Sequence, residues 1–181
     1  MPSPHAPEFM RFSAPDPAAL ERSIRDTRSK LAEALSRGDQ SAILDCVADL
    51  GGMLTTSRNE AEALDLLRKH ESLANSHPDA EQLAWYWNAL ATALQYIGER
   101  AEAETYFAKA VAVAQGGGWR RIEAMALHHW GRSLVEQGQL YEADLRIAQA
   151  LAIREGLGEP RQETSRKALA EIAKLRAASD A

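Results

Sequence analysis

The sequence has 181 residues, of which 45% are hydrophobic and 26% are charged, proportions typical of a soluble globular domain. Its formal net charge of −5 disfavours nucleic-acid binding, which usually requires a basic surface. The single cysteine, Cys46, excludes a disulfide within the chain, and no apolar run has the length of a membrane span. We therefore expect a cytoplasmic protein that binds neither nucleic acid nor membranes.

Proline dominates the start of the chain. Five of the seven prolines lie in residues 1–17, and each removes a backbone donor and fixes φ. We expect residues 1–16 to be disordered, and the lack of an apolar h-region argues against a secretory signal peptide. Met10 is a second candidate start, which would place Pro2–Phe9 outside the native protein, and both starts stay open.

Helix signals divide residues 17–181, which we interpret as one domain. Asp16 followed by Pro17 is typical of a helix start, and Gly38 of a helix end. The predicted segments are a capping helix over residues 17–37, three helix hairpins over residues 41–76, 79–115 and 119–156, and a second capping helix over residues 160–177. The glycine run 116–118 is expected to be the most flexible point, between the second and third hairpins.

Equivalent residues recur every 40 positions along the three hairpins. The recurring sets are Leu50, Leu90 and Trp130; Gly51, Ala91 and Gly131; Leu54, Leu94 and Leu134; Ala63, Ala103 and Ala143; and Leu67, Phe107 and Ile147. Small residues at matched positions let paired helices approach closely, and the large ones fill the space around them. A hairpin cannot bury its apolar stripe alone, so the pattern predicts a stacked array.

The second hairpin carries the clearest family pattern. It reads Trp87-x2-Leu90-Ala91-x2-Leu94, followed by Ala103-x3-Phe107 and Ala110. This spacing resembles the tetratricopeptide repeat, although the step of 40 residues is longer than the usual repeat of about 34. The resemblance covers residues 41–156. It implies an all-α solenoid of three tetratricopeptide-like helix hairpins, with a capping helix at each end.

The resemblance also implies that ligands bind on the concave surface lined by the first helix of each hairpin. The implied groove positions are Asp45, Ala48, Gly52 and Thr56 in the first hairpin; Trp85, Asn88, Thr92 and Tyr96 in the second; and Met125, His128, Arg132 and Glu136 in the third. The second set lies at i, i+3, i+7 and i+11, which is one helical face. The predicted partner-binding residues are Trp85, Asn88, Thr92, Tyr96, Met125, His128 and Arg132.

Each of these residues also has a purely structural interpretation. Trp85 lies about 200° around the helix from Trp87, so we expect Trp87 in the core and Trp85 either in the groove or against a neighbouring hairpin. His128 and Arg132, four residues apart, would together face one acidic ligand group, or Arg132 would pair locally with Glu136. Chaperone-binding members of this family hold the C-terminal tail of a chaperone with particular polar and basic residues. The second hairpin has Asn88 and Thr92 at those positions instead, so we do not expect a chaperone tail as the ligand.

No pattern indicates catalysis or a cofactor. His128 and His129 point about 100° apart on a helix and have no third ligand at helical spacing, so we predict no metal site. Cys46 has no neighbouring histidine to activate it and is interpreted as a small packing residue. The chain contains no phosphate-binding glycine loop and no nucleophile motif. We expect no enzyme activity and no cofactor.

These observations favour a protein- or peptide-binding adaptor or scaffold that uses the concave groove. Because sites rather than folds determine function, two alternatives stay open. One is an inhibitor, immunity-type or ligand-sensing regulatory protein. The other is a structural subunit that self-assembles into a homo-oligomer.

Overall fold

The computed structural model describes residues 8–179. This part of the chain contains eight α-helices and no β-strand. The helices are α1 (Pro17–Arg37), α2 (Gln40–Thr56), α3 (Glu60–Ser76), α4 (Ala80–Ile97), α5 (Arg100–Gly117), α6 (Arg120–Glu136), α7 (Leu140–Gly156) and α8 (Gln162–Ser179). Consecutive helices pack as the hairpins α2–α3, α4–α5 and α6–α7. The predicted all-α helical solenoid is confirmed.

The three hairpins stack in two layers. Helices α2, α4 and α6 contact one another in turn and are called the inner helices, whereas α3, α5 and α7 are the outer helices. Helix α1 packs on α2 at one end of the array, and α8 packs on α7 at the other. None of the helices within residues 8–179 combines the length and the hydrophobicity of a membrane-spanning segment.

Small residues set the distance between inner and outer helices. A Cβ atom placed on Gly51 would lie 2.8 Å from Cδ1 of Leu67 in the facing outer helix. Ala91 fills the matched position of the second hairpin and is fully buried together with Phe107. Larger side chains at these positions would therefore push the paired helices apart.

The glycine run 116–118 lies at the end of helix α5 and does not form a separate linker. Gly116 and Gly117 lie within α5, and only Gly118 has a positive φ, 72°, where it ends the helix. The side chain of Trp119 folds back against Gly117, because a Cβ there would lie 2.5 Å from the indole ring. The expected point of flexibility is thus a tight helix end covered by an aromatic ring.

The N-terminal segment also differs from expectation. Residues 1–7 lie outside the described part of the chain, and within residues 8–16 the side chains of Glu8, Phe9 and Arg11 contact the rest of the fold. Phe9 is buried against α6, α7 and α8, where it packs with Leu134, Ile147 and Ile172. The high proline content correctly predicts that residues 8–16 form neither helix nor strand. It does not predict the burial of the Phe9 side chain.

Candidate functional site

The inner helices line a cavity with a volume of about 510 Å³. All seven predicted partner-binding residues lie on its wall: Trp85, Asn88, Thr92, Tyr96, Met125, His128 and Arg132. Of the positions implied in the first hairpin, Ala48, Gly52 and Thr56 line it as well, whereas Asp45 instead accepts a hydrogen bond from Gln82. The helical spacing therefore brings the predicted set together around one space.

Two tryptophans on α4 lie on different sides of the helix. Trp85 is half-buried, lines the cavity, and packs against the cluster of Ala114, Ile122 and Trp119. Trp87 is half-buried between two core clusters, and the ammonium group of Lys109 lies 5.6 Å from the centre of its ring. Trp85 thus belongs to the cavity wall and to the packing between hairpins at once.

Tyr86, between the two tryptophans, is a buried residue that the sequence pattern does not single out. Its side chain is fully buried, and its hydroxyl donates a hydrogen bond of 2.5 Å to the carbonyl oxygen of Leu67. Burial raises the pKa of this hydroxyl above its ordinary value. The residue ties the second hairpin to the outer helix of the first.

The polar residues of α4 turn toward α6. Thr92 is buried, and its hydroxyl lies 2.7 Å from the carbonyl oxygen of Asn88 and 3.1 Å from Nδ1 of His129. The Oδ1 atom of Asn88 is buried without a hydrogen-bond partner among the described residues. Tyr96 accepts a hydrogen bond of 2.8 Å from Nη2 of Arg132. The alternative of a local Arg132–Glu136 pair is not observed among the described residues, because the Glu136 carboxylate pairs with Arg11 and Arg100.

His128 and His129 lie in a positively charged environment. Burial and the charges of Arg154 and Arg132 lower the pKa of His128 from 6.5 to about 3. The pKa of His129 also lies well below its ordinary value, because of burial and the charge of Arg132. Both rings are thus neutral at pH 7. Their centroids are 6.3 Å apart, and no group of three or more potential ligands within residues 8–179 is placed to hold a metal ion.

Two further arginines line the cavity, and sequence reasoning missed both. Arg154 comes from the last turn of α7, and Arg161 from the turn before α8. Nη1 of Arg154 donates to Oγ of Ser165 at 2.8 Å and to the carbonyl oxygen of Arg161 at 3.2 Å. Oγ of Ser165 in turn lies 3.2 Å from Nδ1 of His128. Burial and the charge of Arg161 lower the pKa of Arg154 to about 10.

Residues 8–14 lie beside the cavity, which Phe12 and Ala14 line, and are called the N-terminal strap. Arg11 bonds to the Glu136 carboxylate through Nε at 2.9 Å and Nη2 at 3.0 Å, and its guanidinium lies 4.4 Å from the ring centre of Tyr96. The backbone N–H of Phe9 donates to the same carboxylate at 3.2 Å. Phe12 lines the cavity. The strap therefore crosses the C-terminal ends of α4 and α6.

The ion pair that holds the strap is buried. The side chain of Arg11 is 6% exposed and that of Glu136 is fully buried, with Arg100 at 3.5 Å as a second cation. Burial alone would lower the pKa of Arg11, but the hydrogen bond and charge of Glu136 outweigh it and raise the pKa. No sequence signal identified this pair, because its members are 125 residues apart.

Comparison with known proteins identifies one matching family model and a similar solved structure. Residues 83–115 match the family model described as Tetratricopeptide repeat. A similar solved structure is BtubC (BKLC) from P. vanneervenii, with a TM-score of 0.66 and 16% sequence identity over 88% of this chain. The alignment spans 65% of that chain, less than two thirds of its length, and at this identity it shows the likeness of fold alone. No curated protein matches the sequence.

The family match falls on the hairpin that contributes the α4 side of the cavity wall. Residues 83–115 include nearly all of α4 and α5, and with them Trp85, Asn88, Thr92 and Tyr96. The match confirms the predicted resemblance at one hairpin: residues 83–115, in α4 and α5, match the tetratricopeptide repeat and lie within a solenoid of three helix hairpins.

Proposed function

We propose that the protein is a non-catalytic cytoplasmic adaptor that binds an extended peptide segment of a partner protein along its inner helices. One observation carries this proposal: the chain's own strap, which forms neither helix nor strand, already crosses the inner helices and lines the cavity through Phe12 and Ala14. A groove that accommodates one such segment has the shape and hydrogen-bonding groups to accommodate another. Tetratricopeptide repeats generally mediate protein interactions, which agrees with this role.

The contacts of the strap indicate what the groove recognises. Phe9 fills an apolar site between α6, α7 and α8, and buried aromatic side chains dominate binding energies at interfaces. Arg11 supplies two donors to Glu136, a two-pronged geometry that guanidinium groups favour. An aromatic residue and an arginine two positions later are therefore the features that we expect in a partner segment.

The strap and a partner segment would compete for the same contacts. A tethered segment acts at a high effective concentration, so the partner must displace it before binding. The strap therefore competes with the partner segment for the groove. Substitutions that weaken the contacts of the strap should strengthen binding of the partner segment.

The test uses the full chain with Phe9→Ala and Arg11→Ala, and a fluorescent peptide that has the sequence of residues 8–16. We expect the double variant to bind the peptide saturably and about tenfold more tightly than the wild type, because its own strap no longer competes. Adding Glu136→Gln should abolish the gain, whereas Arg166→Gln, on the exposed side of α8, should leave it intact. Fluorescence anisotropy measures both affinities. Equal binding by wild type and variant, or no saturable binding, would refute the proposal.

A further inference from the structure

The third hairpin is joined to the second less firmly than the second is joined to the first. Helix α2 packs along α4, whereas α4 contacts α6 at only a few positions. Among the described residues, two hydrogen bonds join side chains of α4 to side chains of α6. The third hairpin therefore rests on the second mainly through the packing of α6 on the outer helix α5.

The ion pairs that link successive hairpins also end at this junction. Arg28 of α1 pairs with Glu62 of α3. Forty residues later, Arg68 of α3 pairs with Glu102 of α5. After a further forty residues, Ala108 of α5 stands in place of the arginine, so this contact is not repeated between α5 and α7. The third hairpin thus lacks a link that the earlier helices share.

One side chain of the strap bridges the same junction. The guanidinium group of Arg11 donates to the carboxylate of Glu136 at the end of α6. Its Nη1 atom also donates to the carbonyl oxygen of Tyr96, at the end of α4, at 3.3 Å, where a cation is favourable. Two residues earlier, Phe9 is buried against α6, α7 and α8. The strap therefore joins the third hairpin and α8 to the end of α4.

The strap also reaches the first hairpin, at a residue with an unusual backbone conformation. Arg58 has a φ of 65°, at the position where the second and third hairpins have Gly98 and Gly138. This left-handed conformation is unfavourable for any residue that has a side chain. The Arg58 side chain pairs with Glu8 of the strap at 3.2 Å, and its guanidinium lies 5.4 Å from the ring centre of Tyr96. All three hairpins are therefore in contact with the strap.

We propose that the strap is a clasp that fixes the third hairpin relative to the first two. Its release lets the third hairpin and α8 turn about the packing of α5 on α6, which Ala114, Trp119 and Ile122 fill. The cavity changes its width in this motion, because residues on both sides of the junction line it. The inference rests on the proposed function, since the event that releases the strap is its displacement by the partner segment.

Distances between spin labels in the full chain test the clasp. Lys69→Cys on α3 and Gln149→Cys on α7, both at exposed positions, carry the labels in a Cys46→Ala background. Double electron–electron resonance then measures the distance between the first and third hairpins. We expect one narrow distribution with the native strap, and a broader distribution with a shifted mean in the Phe9→Ala/Arg11→Met variant. Arg11→Met alone, which keeps Phe9, should change the distribution in the same direction.

A second pair of labels and a control variant locate the motion. Lys69→Cys with Thr105→Cys, on the first and second hairpins, should keep its narrow distribution in both strap variants, which also shows that they are folded. Arg28→Gln removes an exposed ion pair far from the junction and should leave both distributions unchanged. An unchanged distance between the first and third hairpins, or equal broadening of both pairs, would overturn the clasp.

The peptide of residues 8–16 separates this inference from the proposed function. If it binds the double variant and restores the narrow distribution, both are supported. Binding without narrowing would overturn the clasp and leave the groove as a peptide-binding site. If the peptide does not bind, the proposed function fails, whereas the comparison of the strap variants with the native strap still decides whether the strap is a clasp.

Discussion

At Gly131 the absence of a side chain decides how closely α6 and α7 approach. A Cβ atom there would lie 2.4 Å from Cγ1 of Ile147 and 3.1 Å from the carbonyl oxygen of Ala143. Rotation of Ile147 could relieve the first contact, but the second involves backbone. Gly131 is therefore a packing requirement rather than a turn residue.

We predict that Gly131→Ala lowers the free energy of unfolding by about 1–3 kcal/mol, as overpacking of a core typically does. Gly116→Ala is the matched control, because Gly116 also lies inside a helix but a Cβ there meets nothing within 4 Å. The control should gain up to about 1 kcal/mol from higher helix propensity. Urea unfolding measures both, and equal changes would contradict the close packing of α6 on α7.

The strap acts at the scale of an element, since the buried Glu136 carboxylate accepts hydrogen bonds from both the Arg11 side chain and the Phe9 backbone. We predict that Glu136→Gln accelerates tryptic cleavage after Arg11 by about tenfold or more, which corresponds to about 1.4 kcal/mol of weakened docking. In the wild type the Arg11 side chain is only 6% exposed, so a protease reaches it only after the strap detaches.

Glu155→Gln is the control for this cleavage. Glu155 also pairs with an arginine, but its side chain is 45% exposed, and exposed pairs contribute little to stability. Mass spectrometry of the early fragments distinguishes cleavage after Arg11 from cleavage elsewhere. If both variants are cut at the wild-type rate, Glu136 does not hold the strap.

At the scale of the whole molecule, two histidines with lowered pKa values make stability depend on pH. The folded protein leaves His128 unprotonated down to about pH 3, whereas the unfolded chain protonates it near its ordinary value of 6.5. Between these values the unfolded state binds more protons, so the free energy of unfolding falls as the pH falls. Burial, Arg154, Arg132 and Arg161 all act in this direction on His128, and His129 shifts the same way.

We predict a loss of up to about 1.4 kcal/mol per pH unit for each ring below pH 6.5. Urea unfolding at pH 7 and pH 5 measures it, and His128→Asn should remove the contribution of one ring while keeping a polar side chain near Ser165. If the variant has the same pH dependence as the wild type, the pKa of His128 is not lowered in the folded protein.

Much of the architecture could be predicted because it depends on local spacing. The recurrence every 40 residues predicts the hairpins, and the i, i+3, i+7 pattern from Trp85 predicts which side chains share the cavity wall. Arg154 and Arg161 escaped prediction because they reach the cavity from an outer helix and a turn, and the packing of α8 places them there. Proline content likewise predicts the lack of regular structure in residues 8–16 but not the burial of Phe9.

The strap also changes how the array should fold. In a simple solenoid each repeat contacts only its neighbours, so the ends can unfold separately. Here Phe9 and Arg11 bond to Glu136 across 127 and 125 residues, which joins the beginning of the chain to its last hairpin. Such distant contacts form late in folding and couple the two ends into one cooperative unit. Hydrogen exchange should then show α8 opening together with the strap, and independent fraying of α8 would contradict that coupling.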